Sequence, residues 1–185
     1  MKTTLTLSIV LALSACGQDV HRAAHADDPR PSYSIDPAIA PYMARYFVGA
    51  HAHGVMNSPN PDVRTIRFAD DAEMAETDGI EDSTLGYCYS MTMWTYDKLG
   101  TKVEWEQKDI VIRKSTWDKF GGCVRQALIS HENGHCQLNL DHVDDKNNLM
   151  YPYIVAADSD TDPKCEEFMA EEKVMFDTYK AGRAK

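Results

Sequence analysis

The chain switches between two periods of hydrophobic and polar positions. From Val63 to Phe68, Ile66 and Phe68 fall among charged neighbours such as Arg64 and Arg67, which predicts a strand. Leu85 to Met93 sets Tyr87, Tyr89, Met91 and Met93 against Cys88, Ser90 and Thr92, a second strand. Lys102 to Trp105 and Asp109 to Lys114 predict two more, the latter with Ile110 and Ile112 on one face. After Gly121-Gly122 the period lengthens, and Val124, Leu128, His131, His135 and Leu138 recur at helical spacing. That stripe turns from aliphatic to imidazole partway along, so the predicted helix crosses the core and then reaches a cleft. Tyr42 to Val48 predicts a short helix before the strands, and Glu166 to Lys180 a final one facing Phe168, Val174, Met175 and Tyr179 to the core. The acidic stretch Asp70 to Asp82 reads as a solvated helix and loop. Strands followed by helices define an α+β class.

The imidazoles carry the candidate chemistry. In His131-Glu132-Asn133-Gly134-His135 the two histidines sit one helical turn apart on one face. That spacing lets both rings reach one zinc ion at roughly 2.0–2.1 Å. Glu132 flanks the pair, where it can take a proton from a metal-bound water rather than bind the metal. Two core histidines beside a surface glutamate would spell the same letters, so the residues beyond matter. A third protein ligand is required. On an unbroken helix His142 would lie about 10 Å past His135 along the axis, too far for one ion. The chain must therefore turn back, and Asn139 is placed to end the helix in the left-handed conformation. Leu140 then covers the helix end while Asp141 and His142 swing toward the metal. Imidazole suits zinc, which favours His142 as third ligand, with Asp141 its competitor.

His131 to Pro152 resembles the active site of the metzincin metallopeptidases, and most of all their matrixin branch. The family pattern is HExxHxxGxxH followed by a Met-turn, often Leu-Met-Tyr-Pro. Asn139-Leu140-Asp141-His142 is similar to the family's Gly-Leu-Asp-His, and Leu149-Met150-Tyr151-Pro152 matches the Met-turn. The chain departs from the pattern in one place: His142 falls eleven positions after His131 instead of ten, and Asn replaces Gly. By strict count Asp141 occupies the ligand slot. Upstream, Asp78-Gly79 and Leu85-Gly86-Tyr87-Cys88-Tyr89 look like the family's loop and the edge strand bordering its substrate cleft. Asp109-Ile110-Val111-Ile112 with Trp117 resembles the strand leading to the active-site helix.

This resemblance covers roughly residues 63–152 and implies a zincin-like fold. Its parts are a twisted, mainly parallel mixed sheet with an antiparallel edge strand, an active-site helix, a Met-turn and a C-terminal helix. It implies that a peptide substrate pairs with the backbone of Leu85, Gly86 and Tyr87 as an added strand. Met150 would form an apolar floor under the metal. The expected activity is a zinc-dependent endopeptidase, with a metal-activated water and Glu132 as general base. The alternatives are a non-catalytic zinc-binding surface lipoprotein and a zinc hydrolase of cell-wall amides.

Composition adds the setting. A chain of 185 residues with 43% hydrophobic positions suits one domain. A net charge of −10 argues against nucleic acid and against electrostatic attachment to anionic lipid. Met1-Lys2 and the apolar run Leu5 to Leu13 form a leader too short to span a bilayer. Leu13-Ser14-Ala15-Cys16 reads as a bacterial lipobox; the alternative is an ordinary secretory signal with an incidental Cys. The lipobox predicts cleavage before Cys16, lipid on its sulfur, and an exported chain anchored to the cell envelope. Gly17 points to the outer membrane. Residues 1–15 are then the signal peptide, and 16–40, with Pro29, Pro31 and Pro37, a flexible tether. Residues 41–185 are the catalytic domain, a monomer acting on protein or peptide substrates.

The remaining candidates read more plainly. His21 with His25, and His51 with His53, read as solvated pairs, and Tyr153 as a packing residue. Asp158 to Asp162 begins like a calcium loop, but Pro163 and Met169 stand where Gly and Glu are required. Four cysteines besides Cys16 suggest two disulfides in an exported chain, with three pairings possible. The pairing expected is Cys88–Cys123 and Cys136–Cys165.

Overall fold

Strand pairing begins at Ser34. In the computed structural model, which describes residues 33–56, 60–77, 80–81, 83–152 and 164–183, Tyr33–Lys185 forms one unit. The expectations for Cys16 and its leader, His21, His25, Asp78-Gly79, Tyr153 and Asp158 to Asp162 lie outside the described residues. The elements in order are β1 (Ser34–Ile35), α1 (Ala40–Ala52), β2 (Val63–Ala69), α2 (Asp71–Glu76) and β3 (Gly86–Tyr96). They continue with β4 (Lys102–Arg113), α3 (Lys114–Trp117), α4 (Gly122–Leu138) and α5 (Lys164–Arg183). The sheet order is β1-β2-β4-β3, parallel except for β3, which pairs antiparallel to β4 at one edge. The α+β class and a mostly parallel sheet with an antiparallel edge strand are therefore present.

Two boundaries differ from expectation. Residues 33–40 were assigned to the tether, yet β1 pairs with β2, the Asp36 N–H donates to Ile66 O at 2.8 Å, and Ile39 is fully buried. Two residues of backbone pairing leave no hydrophobic period to detect. Lys102 to Trp105 and Asp109 to Lys114 were read as separate strands but are one, because Glu106, Gln107 and Lys108 pair with Thr92, Met91 and Ser90 without a break. Charged side chains interrupted the hydrophobic alternation; the backbone ladder ignored it.

The core explains why α4 sits at the centre. Ile66, Ile110 and Ile112 of the sheet pack on Leu128, Ile129 and Cys136, while Val124, Ala127 and Leu138 face Met150, Met175 and Phe176. Phe176, absent from the expected core face of α5, is fully buried, whereas Val174 and Tyr179 are only partly so. A helix covered on nearly every side must satisfy its polar residues internally. Gln137 Oε1 accepts from the Asn60 N–H at 2.6 Å, Asn133 Nδ2 donates to Ile129 O at 2.6 Å, and Ser130 bonds to Glu172. The other side of the sheet carries a smaller cluster of Ala69, Met74 and Val111 with Tyr87.

The cysteines pair as Cys88–Cys136 and Cys123–Cys165, each with Cα atoms 5.5 Å apart, which corrects the expected pairing. Element direction is the cause. The separation of 42 that joins Cys165 to Cys123 also joins Glu172 to Ser130, so α5 runs alongside α4 in the same sense. Cys165 therefore lies at the start of α4, and Cys136 is about 20 Å away at its far end. There β3 supplies Cys88. Peptide mapping without reduction should return these two pairs. Replacing Cys123 and Cys165 together by Ser should lower unfolding free energy in urea by about 3–4 kcal/mol.

Candidate metal centre

Two points of α4 decide where its histidines go. Gly134 lies over Met150: a Cβ built there would stand 2.2 Å from Met150 Sδ and 3.1 Å from Met175 Sδ. Only Gly lets the Leu149-Met150 turn press against the helix beneath His131 and His135. At its end, Asn139 takes φ 54°, ψ 43°, the left-handed conformation expected of it. The Asn139 N–H donates to His135 O at 3.1 Å and the Leu140 N–H to Gly134 O at 3.0 Å, closing the helix. The chain then reverses, and His142 arrives beside the other two histidines.

The three Nε2 atoms converge. His131 and His135 are 3.2 Å apart, His135 and His142 3.2 Å, and His131 and His142 3.3 Å. The same three residues form a group able to hold one metal ion, and Asp141 is not part of it. Two backbone carbonyls fix what those nitrogens are. His131 Nδ1 lies 2.6 Å from Leu149 O, and His135 Nδ1 lies 2.6 Å from Leu140 O. A carbonyl only accepts, so each Nδ1 carries the proton and each Nε2 presents a bare lone pair. Burial holds His131 down to about 4 and lowers His135 as well, so both rings are neutral at pH 7. Lone pairs aimed at one another repel unless a cation lies between them. An ion taking tetrahedral nitrogen ligands at roughly 2.0–2.1 Å sets them about 3.3 Å apart, which these edges match. His142 is exposed, so the group opens to solvent on one side.

Glu132 completes the site. It is buried, its Oε2 has no hydrogen-bond partner among the described residues, and burial pushes its carboxyl up to about 8. An uncompensated buried carboxyl is costly unless something charged or protic meets it. The edge strand comes close to it: a Cβ on Gly86 would stand 3.1 Å from Glu132 Oε1 and 2.9 Å from Ile112 Cδ1. Leu85, Gly86 and Tyr87 thus run beside Glu132, and among the described residues β3 pairs only on its β4 side. Met150 is buried against Gly134, its N–H donating to Asn148 Oδ1 at 3.0 Å and its O accepting from the Val143 N–H at 3.1 Å.

Some candidates stay apart, and some supports were missed. His51 is exposed on α1, and His53 packs its ring on Phe176 at 5.4 Å. Buried Lys108 of β4 donates to Asn139 Oδ1, pinning the residue that turns the chain toward His142. Buried Arg113 donates from Nε to Thr84 O at 2.8 Å and pairs with Asp71 at 3.0 Å, anchoring the loop into the edge strand. The available signal was a cation on either side of Ile110-Val111-Ile112, Lys108 before Asp109 and Arg113 beside Lys114. No family model, curated protein or solved structure matches the chain.

Gly134→Ala should cost about 1–3 kcal/mol in urea unfolding through overpacking, and adding Met150→Ala should recover part of that loss. Asn139→Gly keeps the left-handed turn but strips buried Lys108 of its acceptor and should cost about 1–2 kcal/mol, whereas Asn139→Val should cost about 1–2 kcal/mol more for a left-handed β-branched residue.

Proposed function

We propose that the chain is a zinc-dependent endopeptidase of metzincin type, similar to matrixins, carried on the cell envelope by lipid on Cys16. The observation that carries this reading is the convergence of three Nε2 atoms next to a buried carboxylate without a partner. His131, His135 and His142 would hold zinc with one side open to solvent. Bound there, zinc would supply Lewis acidity, polarising a scissile carbonyl and making nearby water a better acid.

The other roles belong to the chain itself. Leu149 O and Leu140 O keep His131 and His135 in the ligating tautomer and fix their ring planes. Positive charge held by the histidines favours the ionised form of Glu132 against the burial that opposes it. Glu132 would accept the proton of the attacking water and return it to the departing amine. The free edge of β3 offers backbone donors and acceptors to an extended peptide, and Gly86 brings that edge against Glu132. A peptide paired there has its scissile bond beside the base. Met150 gives the histidines an apolar floor from below.

The test is metal analysis joined to a mass-spectrometric cleavage profile. The mature protein should contain one zinc per chain and cleave peptides, and a chelator should abolish cleavage until zinc is restored. Glu132→Ala should keep the zinc and lose at least about 10²-fold in hydrolysis. His135→Ala should lose both. Full activity in Glu132→Ala would overturn the mechanism. Zinc without turnover of any peptide would select a binding protein, and hydrolysis of purified peptidoglycan with casein untouched would select a cell-wall amidase.

A further inference from the structure

We propose that the tip of the β3–β4 hairpin inserts into the interfacial layer of a zwitterionic phospholipid bilayer, giving the protein a second membrane contact independent of lipid on Cys16. The hairpin outruns the sheet. β2 pairs with β4 only over Lys108 to Arg113, whereas β3 and β4 stay paired out to Tyr96 and Lys102. Past residue 107 toward the turn, the two strands form a ribbon with no third strand.

Its turn is held by Asp97 and presents one aliphatic side chain, Leu99, beside Lys98. Asp97 Oδ1 accepts from the Leu99 and Thr101 N–H groups, both at 2.8 Å, and Gly100 takes φ +78° with open space around it. That geometry pushes Leu99 outward to 90% exposure, the highest among the exposed large hydrophobic residues. Behind it on one face stand Trp94 and Tyr96, 57% and 62% exposed, their rings edge to face at 5.8 Å. Lys102 lies over the Trp94 ring, its Nζ 5.5 Å from the centroid. On the opposite face Met93 and Trp105 pair and are largely covered.

The distribution selects the occupant. Along the ribbon axis exposed Leu99 comes first with Lys98 beside it, then exposed Tyr96 and Trp94 with Lys102 over the indole, an order along the projection rather than a patch on the body of the protein. The layers follow those of a bilayer surface: an aliphatic apex for the acyl boundary, Trp and Tyr for the headgroup level, and a Lys able to reach phosphate. Acidic groups nearby are already engaged, Asp97 in the turn and Glu104 with Lys102. The contact is thus driven by apolar insertion, in keeping with a chain of net charge −10. Lipid on Cys16, as proposed above, would be a separate attachment of the same chain. The insertion itself does not depend on that anchor, and two weak signals together make attachment stable.

The test uses the chain from Gly17 onward, which keeps the whole Tyr33–Lys185 unit and lacks the residue that would carry lipid. Flotation with phosphatidylcholine vesicles should carry the protein, and its Trp emission should move to shorter wavelength. Trp94→Phe should still float while losing most of that spectral shift. Leu99→Asp, an exposed position whose melting temperature should be unchanged, should lower vesicle partitioning about tenfold or more. A chelator should leave partitioning unaltered, so this result stands or falls apart from the peptidase reading. Absence of flotation, equal flotation of Leu99→Asp, or Leu99-dependent dimers in sedimentation velocity would each overturn the proposal, the last in favour of a second copy of the chain.

Discussion

Two hydrogen bonds from imidazole to backbone carbonyl hold the site together. Leu140 O and Leu149 O sit at separate points of the connection that follows α4, and each takes the Nδ1 proton of a histidine on that helix. Each bond does two things. It sets the tautomer, so that Nε2 and not Nδ1 is bare, and it ties a loop to the helix, so that the loop cannot drift without turning the ring. Because His142 follows Leu140 by two residues, the carbonyl that orients the second histidine also delivers the third. The centre is thus a property of backbone path as much as of side chains.

That path needs close approaches that ordinary residues would block. Gly134 admits Met150 to within a distance no Cβ could share, and Gly86 admits the edge strand to Glu132. Both glycines are required for lack of a side chain, not for an unusual φ. The Cys88–Cys136 bond then joins the edge strand to the residue after His135. One end of α4 therefore gathers the histidines, the carboxylate, the strand edge and a covalent clamp. The other end is fastened to α5 through Cys123 and Cys165, well away from any of these.

Local signals were legible in the sequence, and relations between distant segments were not. The start of α4 at Gly121-Gly122, its left-handed end at Asn139 and the alternating edge strand each depend on a few adjacent residues, and each is present. The choice between Asp141 and His142 was half legible: composition favoured imidazole, but only the turn after Asn139 brings that ring to the others. Disulfide pairing was illegible because it depends on β3 and α5 both running in the direction of α4, and no spacing between cysteines encodes that. The continuous β4 was hidden for a different reason. Its middle, Glu106 to Lys108, is polar although Gln107 and Lys108 are buried, so the backbone ladder runs on where the hydrophobic period stops.

The extra residue relative to HExxHxxGxxH has a definite location. Asn139 stands eight positions after His131, whereas the pattern's Gly stands seven after its first His; from there to the third His both count three. The insertion therefore lengthens the helix and leaves the turn intact. One added helical residue rotates the exit by about 100° and advances it 1.5 Å, enough to aim the following loop elsewhere unless the new last turn is held. It is held from three directions: Cys136 by the disulfide to Cys88, Gln137 by the Asn60 N–H, and Asn139 by the Lys108 ammonium. These anchors come from the edge strand, the segment before β2 and the strand beside it. The last turn of α4, which one added residue would otherwise aim elsewhere, is thus fixed at three points, and the His142 ring still meets the other two.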